Sequence, residues 1–86
     1  MSIKNLTKQM RDELGIKQYG VLVASVDNGN ASNAGIRAGD IIMQLDGQSV
    51  KNTQHMKKLA SKIKEGKFIS VLINRQGNPI FLALKK

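Results

Sequence analysis

Four short apolar stretches, each cut off by turn-forming residues, limit what this chain can build. Tyr19 to Val26 is rich in apolar and β-branched residues and reads as a strand. Asp27-Asn28-Gly29-Asn30 ends it, because Asn and Asp bond their own backbone and glycine tolerates left-handed conformations. After Gly39, Asp40 to Leu45 reads as a second strand. Asp46-Gly47 favours a tight turn into a short return strand, Gln48 to Val50. Phe68 to Ile73 and Ile80 to Leu84 read as a terminal hairpin joined by Asn74 to Pro79. Ile3 to Leu6 is short enough for an edge strand.

Between the strands lie three helical segments. Thr7 can cap a two-turn helix, Lys8 to Leu14, since its hydroxyl accepts a bond from a free backbone N–H. Met10 and Leu14 then share a face, and Gly15 supplies the left-handed terminator. Ala31 to Ala34 gives one turn, capped by Asn30 and closed by Gly35. Asn52 or Thr53 opens the longest helix, in which Met56, Leu59, Ala60 and Ile63 form one apolar stripe and Gly66 is the terminator. Lys57, Lys58, Lys62 and Lys64 cover its other faces. The connection around this helix is too short for a regular parallel array. The fold class is therefore mostly β (α+β). We expect a small, partly open antiparallel barrel or sandwich of five to six short strands. The long helix seals one side, and one or two short helices complete the fold.

Length and composition narrow the function. Eighty-six residues make a single domain, residues 1–86, with little room for a deep enclosed site. There is no cysteine, so disulfides and thiolate metal sites are excluded. No apolar run approaches the ~20 residues of a membrane span, and no signal peptide is visible. The net charge of +8 favours acidic partners. Aromatic residues are scarce (Tyr19, Phe68 and Phe81), so single-stranded nucleic acid has no stacking platform, and the basic residues form no contiguous block. The charge is read as a solvated surface, and nucleic acid is not expected as a partner.

No catalytic, cofactor or metal site is expected. His55 lies among lysines, off the apolar stripe, with no serine and carboxylate arranged around it as a triad requires. One histidine without a carboxylate cluster cannot hold a metal. Asp40 and Asp46 each border a glycine at a turn, where capping the backbone is the simpler role than acid–base work. Gly35 and Gly39 lack the lysine and hydroxyl of a phosphate loop and serve, with Gly29, as backbone hinges.

What remains is an edge and a groove. An extended guest can add to an exposed strand edge, with its side chains dropping under a neighbouring helix. The candidate walls are Ile3, Lys4, Asn5 and Leu6 on the strand and Thr53, Met56, Lys57 and Ala60 on the helix. Leu59 and Ile63 are core. Met56 and Ala60 serve both core and pocket, and Lys4 and Lys57 are placed to attract an acidic group or a terminal carboxylate.

Three segments carry a family resemblance: Gly20-Val-Leu-Val-Ala-Ser-Val26, Ala34-Gly-Ile-Arg-Ala-Gly-Asp-Ile-Ile42 and Leu45-Asp-Gly-Gln-Ser-Val50. Together, at this spacing, they resemble the PDZ domains of bacterial HtrA/Deg serine proteases. Leu6-Thr-Lys-Gln-Met-Arg-Asp-Glu-Leu-Gly-Ile16 is similar to the stretch that precedes the second PDZ core of DegP-, DegQ- and MucD-type proteases. Chains of that kind commonly end just after the last strand, as Leu84-Lys85-Lys86 does here. The resemblance implies a non-catalytic peptide-binding module of a periplasmic protease, with peptides, unfolded segments and neighbouring domains or subunits as partners. It also implies that the carboxylate-holding loop of the family precedes Ile3, which leaves only Met1 and Ser2 in its place and makes peptide binding weak. The alternative parent is an intramembrane metalloprotease or a secretion-system component.

Overall fold

The computed structural model describes residues 1–15 and 20–86. The elements are β1 (Ser2–Asn5), α1 (Lys8–Leu14), β2 (Val21–Ser25), α2 (Asn30–Asn33), β3 (Ile41–Leu45), β4 (Gln48–Ser49), α3 (Thr53–Ser61), β5 (Phe68–Arg75) and β6 (Asn78–Lys85). The strands form one antiparallel sheet in the order β1-β2-β3-β5-β6, with β4 paired to β3 off that path. β1 and β6 are its two edges. This is the mostly antiparallel, partly open architecture expected from the sequence. Tyr19, the expected start of the strand at β2, lies outside the described residues.

Local chemistry sets α1 as the sequence indicated. Thr7 Oγ1 accepts the Met10 N–H at 3.1 Å, and Gly15 closes the helix at φ 66°. The other two helices depart from expectation at their ends. α2 begins one residue early: Asn30 is its first helical residue, and Gly29 stands at the cap with no side-chain bond. α3 is capped by Asn52, whose Oδ1 accepts the His55 N–H at 2.8 Å. It stops at Ser61 rather than running to Gly66, because Lys86 Nζ donates to the Ala60 and Ile63 carbonyls, each at 2.5 Å. A cation there also opposes the helix dipole favourably.

The terminal hairpin is tighter than expected. β5 and β6 extend through Asn74 and Pro79 into a two-residue turn, Gln76-Gly77, with φ of 53° and 87°. Both central residues at positive φ match the right-handed twist of a hairpin. Asn74 Oδ1 accepts the Gly77 N–H at 2.8 Å and reinforces the turn. Pro79 is accommodated because β6 is an edge, where a missing N–H breaks no inner ladder.

Two apolar clusters occupy opposite faces of the sheet. Val21, Val23, Ile36, Ile42, Leu45, Val50, Met56, Leu59, Ile69, Val71 and Ile73 form the main core, which α3 covers. On the other face Leu6 and Ile41 are buried with Met10, Leu22 and Met43 around them. Strand alternation explains the split: Val21 and Val23 point to one face and Leu22 to the other. Gly20 sits where an added Cβ would come within 2.9 Å of Ile41 Cγ2 and 3.2 Å of the Ile42 carbonyl oxygen, so this crossing of β2 and β3 admits no side chain.

Candidate groove at the β1 edge

β1 pairs with β2 on one side, and its other edge is free among the described residues. α3 packs beside it. The link between them is specific: Asn5 Oδ1 accepts the Thr53 N–H at 2.8 Å. It satisfies one of the unpaired donors at the start of the helix and ties the first turn of α3 to the end of β1.

The proposed wall residues fall into four sets. Ile3 and Asn5 lie on the face of β1 that carries α3; Ile3 is half-buried against the main core, while Asn5 is exposed. Thr53, Lys57 and Ala60 are spaced i, i+4 and i+7, one stripe of α3, with Lys57 exposed and Thr53 and Ala60 half-buried. Met56 is 7% exposed and belongs to the main core, so it forms floor rather than a free wall. Lys4 and Leu6 alternate to the opposite face. Lys4 is exposed there, and Leu6 is buried with Ile41 in the second cluster. Reading Ile3 to Leu6 as one wall overlooked the period of two, which gives Leu6 to the core behind the strand.

Elsewhere among the described residues, hollows indent the surface. One of about 220 Å³ lies among Asn30, Asn33, Ala34, Phe68, Ala83 and Lys85. One of about 180 Å³ lies among Arg37, Ala38, Gly39, Asp40, Arg75 and Gln76. Neither touches the β1–α3 edge.

The second hollow sits over a buried ion pair. Asp40 is 2% exposed. Its Oδ1 accepts from Arg75 Nε at 2.9 Å and its Oδ2 from Arg75 Nη2 at 2.7 Å and from the Arg37 N–H at 2.9 Å. Arg75 Nη2 also reaches the Gly35 carbonyl at 2.8 Å. Burial by itself raises the Asp40 pKa, but the bonds from Arg75 and Arg37 and the charges of both arginines outweigh it and hold the carboxyl below its usual value. Backbone capping by Asp40 is thus seen, together with an ion pair that sequence reasoning missed. Gly39, beside it, has φ 95°, and its N–H bonds the Val23 carbonyl. Asp46 is exposed in the β3–β4 turn.

His55 Nδ1 accepts the Lys51 N–H at 3.1 Å, a structural bond at the start of α3. Among the described residues no three His, Cys, Asp or Glu side chains are grouped as metal ligands. Among the described residues no helix is long and apolar enough to cross a membrane.

Comparison with known proteins bears directly on this geometry. The PDZ domain family description matches residues 2–85. A probable periplasmic serine endoprotease DegP-like from Hahella chejuensis is 34% identical over 99% of this chain, which spans 18% of that protein. A serine protease Do-like HtrA from Lactobacillus helveticus is 30% identical over 99% of the chain and 22% of that protein. Among solved structures, the HtrA-type protease AlgW with decapeptide aligns at a TM-score of 0.83 and 27% identity, covering 98% of this chain and 26% of that one. The chain thus spans about a fifth of the curated relatives it matches. With the sheet order, the sealing helix and the family match in agreement, the chain belongs to the PDZ domain family.

Proposed function

We propose that this PDZ domain binds extended polypeptide by strand addition to the free edge of β1, with alternate guest side chains resting against α3. The observation that carries this reading is the pairing of an unpartnered strand edge with a helix tied beside it through Asn5 and Thr53. Guest and β1 would exchange main-chain hydrogen bonds, and the α3 face would discriminate among side chains. Ile3, Asn5, Thr53, Met56, Lys57 and Ala60 line the groove in this reading. Lys4 flanks it from the opposite face, and Leu6 anchors the strand from behind. A peptide ligand is supported by the similar HtrA-type protease AlgW structures, one with a decapeptide and one with a tripeptide. The whole protein is, in this reading, a periplasmic serine endoprotease in which residues 1–86 form one non-catalytic unit. The protease relatives support that parent over an intramembrane metalloprotease or a secretion component.

The test is an amide NMR titration with a peptide of apolar C-terminal sequence. Shifts are expected over Ile3–Leu6 and Thr53–Ala60. Shifts confined to the Gln76-Gly77 turn or to β6, with β1 and α3 unmoved, would place the site elsewhere.

A second role, docking of a neighbouring domain or subunit, is favoured by one observation. Phe68 and Phe81 are 71% and 69% exposed on the outer face of β5 and β6. Aromatic side chains are enriched where protein surfaces meet.

A further inference from the structure

The charge is unevenly divided along the chain. Residues 47–86 hold nine of the fourteen Lys and Arg residues and one of the six acidic residues, Glu65, so that half carries the entire net charge of +8. α3 is its centre. Lys57 and Lys58 lie on the helix, Lys62 caps it, and Lys51 and Lys64 flank it. The helix has no carboxylate, and its first turn, where one would offset the dipole, has none either. β1, across the groove, contributes Lys4 and no carboxylate.

The positions of these cations follow from the periods of the two walls. Ile3 and Asn5 share the α3 face of β1, and Lys4 lies between them on the other face. An extended guest beside β1 alternates in the same way. Residues turned toward α3 meet the apolar Met56 and Ala60, with Lys57 on the same rim of the helix. Residues between them turn to the far face and stand across from Lys4. Opposite charges directly across a strand pair stabilise it, and like charges oppose it.

We propose, resting on the strand-addition reading, that the guest is an acidic segment: apolar side chains at alternate positions, Asp or Glu at the positions between, and a further carboxylate within reach of Lys57. A basic guest would be repelled by both walls, and the field of the whole molecule speeds the encounter with an acidic one. Nucleic acid fits less well. The exposed phenylalanines are on β5 and β6, not among the α3 lysines, so bases have nothing to stack on beside the cations.

The experiment titrates the whole chain, by amide NMR, with three peptides that share the same alternating apolar residues and carry Glu, Gln or Lys between them, in low and in high salt. The Glu peptide is expected to bind roughly three- to tenfold more tightly than the Gln peptide in low salt, with the gap narrowing in high salt and the Lys peptide weakest. Lys57→Glu is expected to shrink or invert that order. If the Glu and Gln peptides shift the β1 and α3 amides with equal affinity in both salts, the acidic preference is wrong and the groove stands. Silence at β1 and α3 with all three peptides removes the groove itself. A short DNA duplex that displaces the Glu peptide and binds more tightly would give the cationic face to nucleic acid and overturn the proposal.

Discussion

Asp40 and Arg75 show what a single pair of residues does here. The pair joins the segment before β3 to the end of β5, next to the hairpin turn, across thirty-five positions of sequence. Because the carboxyl is held below its ordinary value of 3.8, the unfolded chain takes up this proton before the folded one does as pH falls. The stability contributed by the pair is therefore complete above about pH 5 and drains away from there through pH 3.8 and below. Urea midpoints measured between pH 7 and pH 2.5 are expected to fall over that range, with a smaller acid slope in Asp40→Asn. Arg75→Ala leaves a buried carboxylate without its partner and is expected to cost about 3–5 kcal/mol at neutral pH. An unchanged thermal midpoint in that variant would show that the pair holds nothing together. The sequence made Asp40 conspicuous through its glycine neighbour but gave no hint of Arg75, since an ion pair between distant segments leaves no local pattern.

Elements were legible where their ends are set by neighbours in the chain and illegible where they are set from afar. α1 could be read to the residue, because Thr7 and Gly15 act on the turn next to them. The end of α3 could not, because Lys86 reaches it from the far side of β6. The β5–β6 loop was read too long because Pro79 counts against a strand until its place at a sheet edge is known. The same hairpin offers a test. Gln76 occupies a left-handed conformation at φ 53° that costs most L-residues about 1–2 kcal/mol. Asn tolerates it better, so Gln76→Asn is expected to raise stability by roughly 0.5 kcal/mol. A lower urea midpoint in this variant would mean that the Gln76 side chain has a role the turn geometry does not show.

At the scale of the molecule, one sheet runs from β1 to β6, and the buried residues of its main cluster come from β2, β3 and β5, from α3 and from the loops beside them. A chain of this size with a shared core should unfold as a unit. Circular dichroism and the slowest amide exchange, expected at Val21, Val71 and Ile73, should report the same free energy. Two separated transitions would divide residues 1–86 into independent parts. The candidate groove was legible as a strand and a helix brought side by side, but not in its detail, because alternation along β1 and burial of Met56 depend on which face α3 covers. That helix is moored at both ends: Asn5 holds its first turn and Lys86 its last. One mooring comes from the first strand of the chain and the other from the residue after the last strand. A displacement of either flanking strand is therefore felt by α3 as well as by the sheet. In the proposed groove, the spacing between helix and edge strand, which would set the thickness of guest admitted, is thereby tied to the positions of the first and last strands.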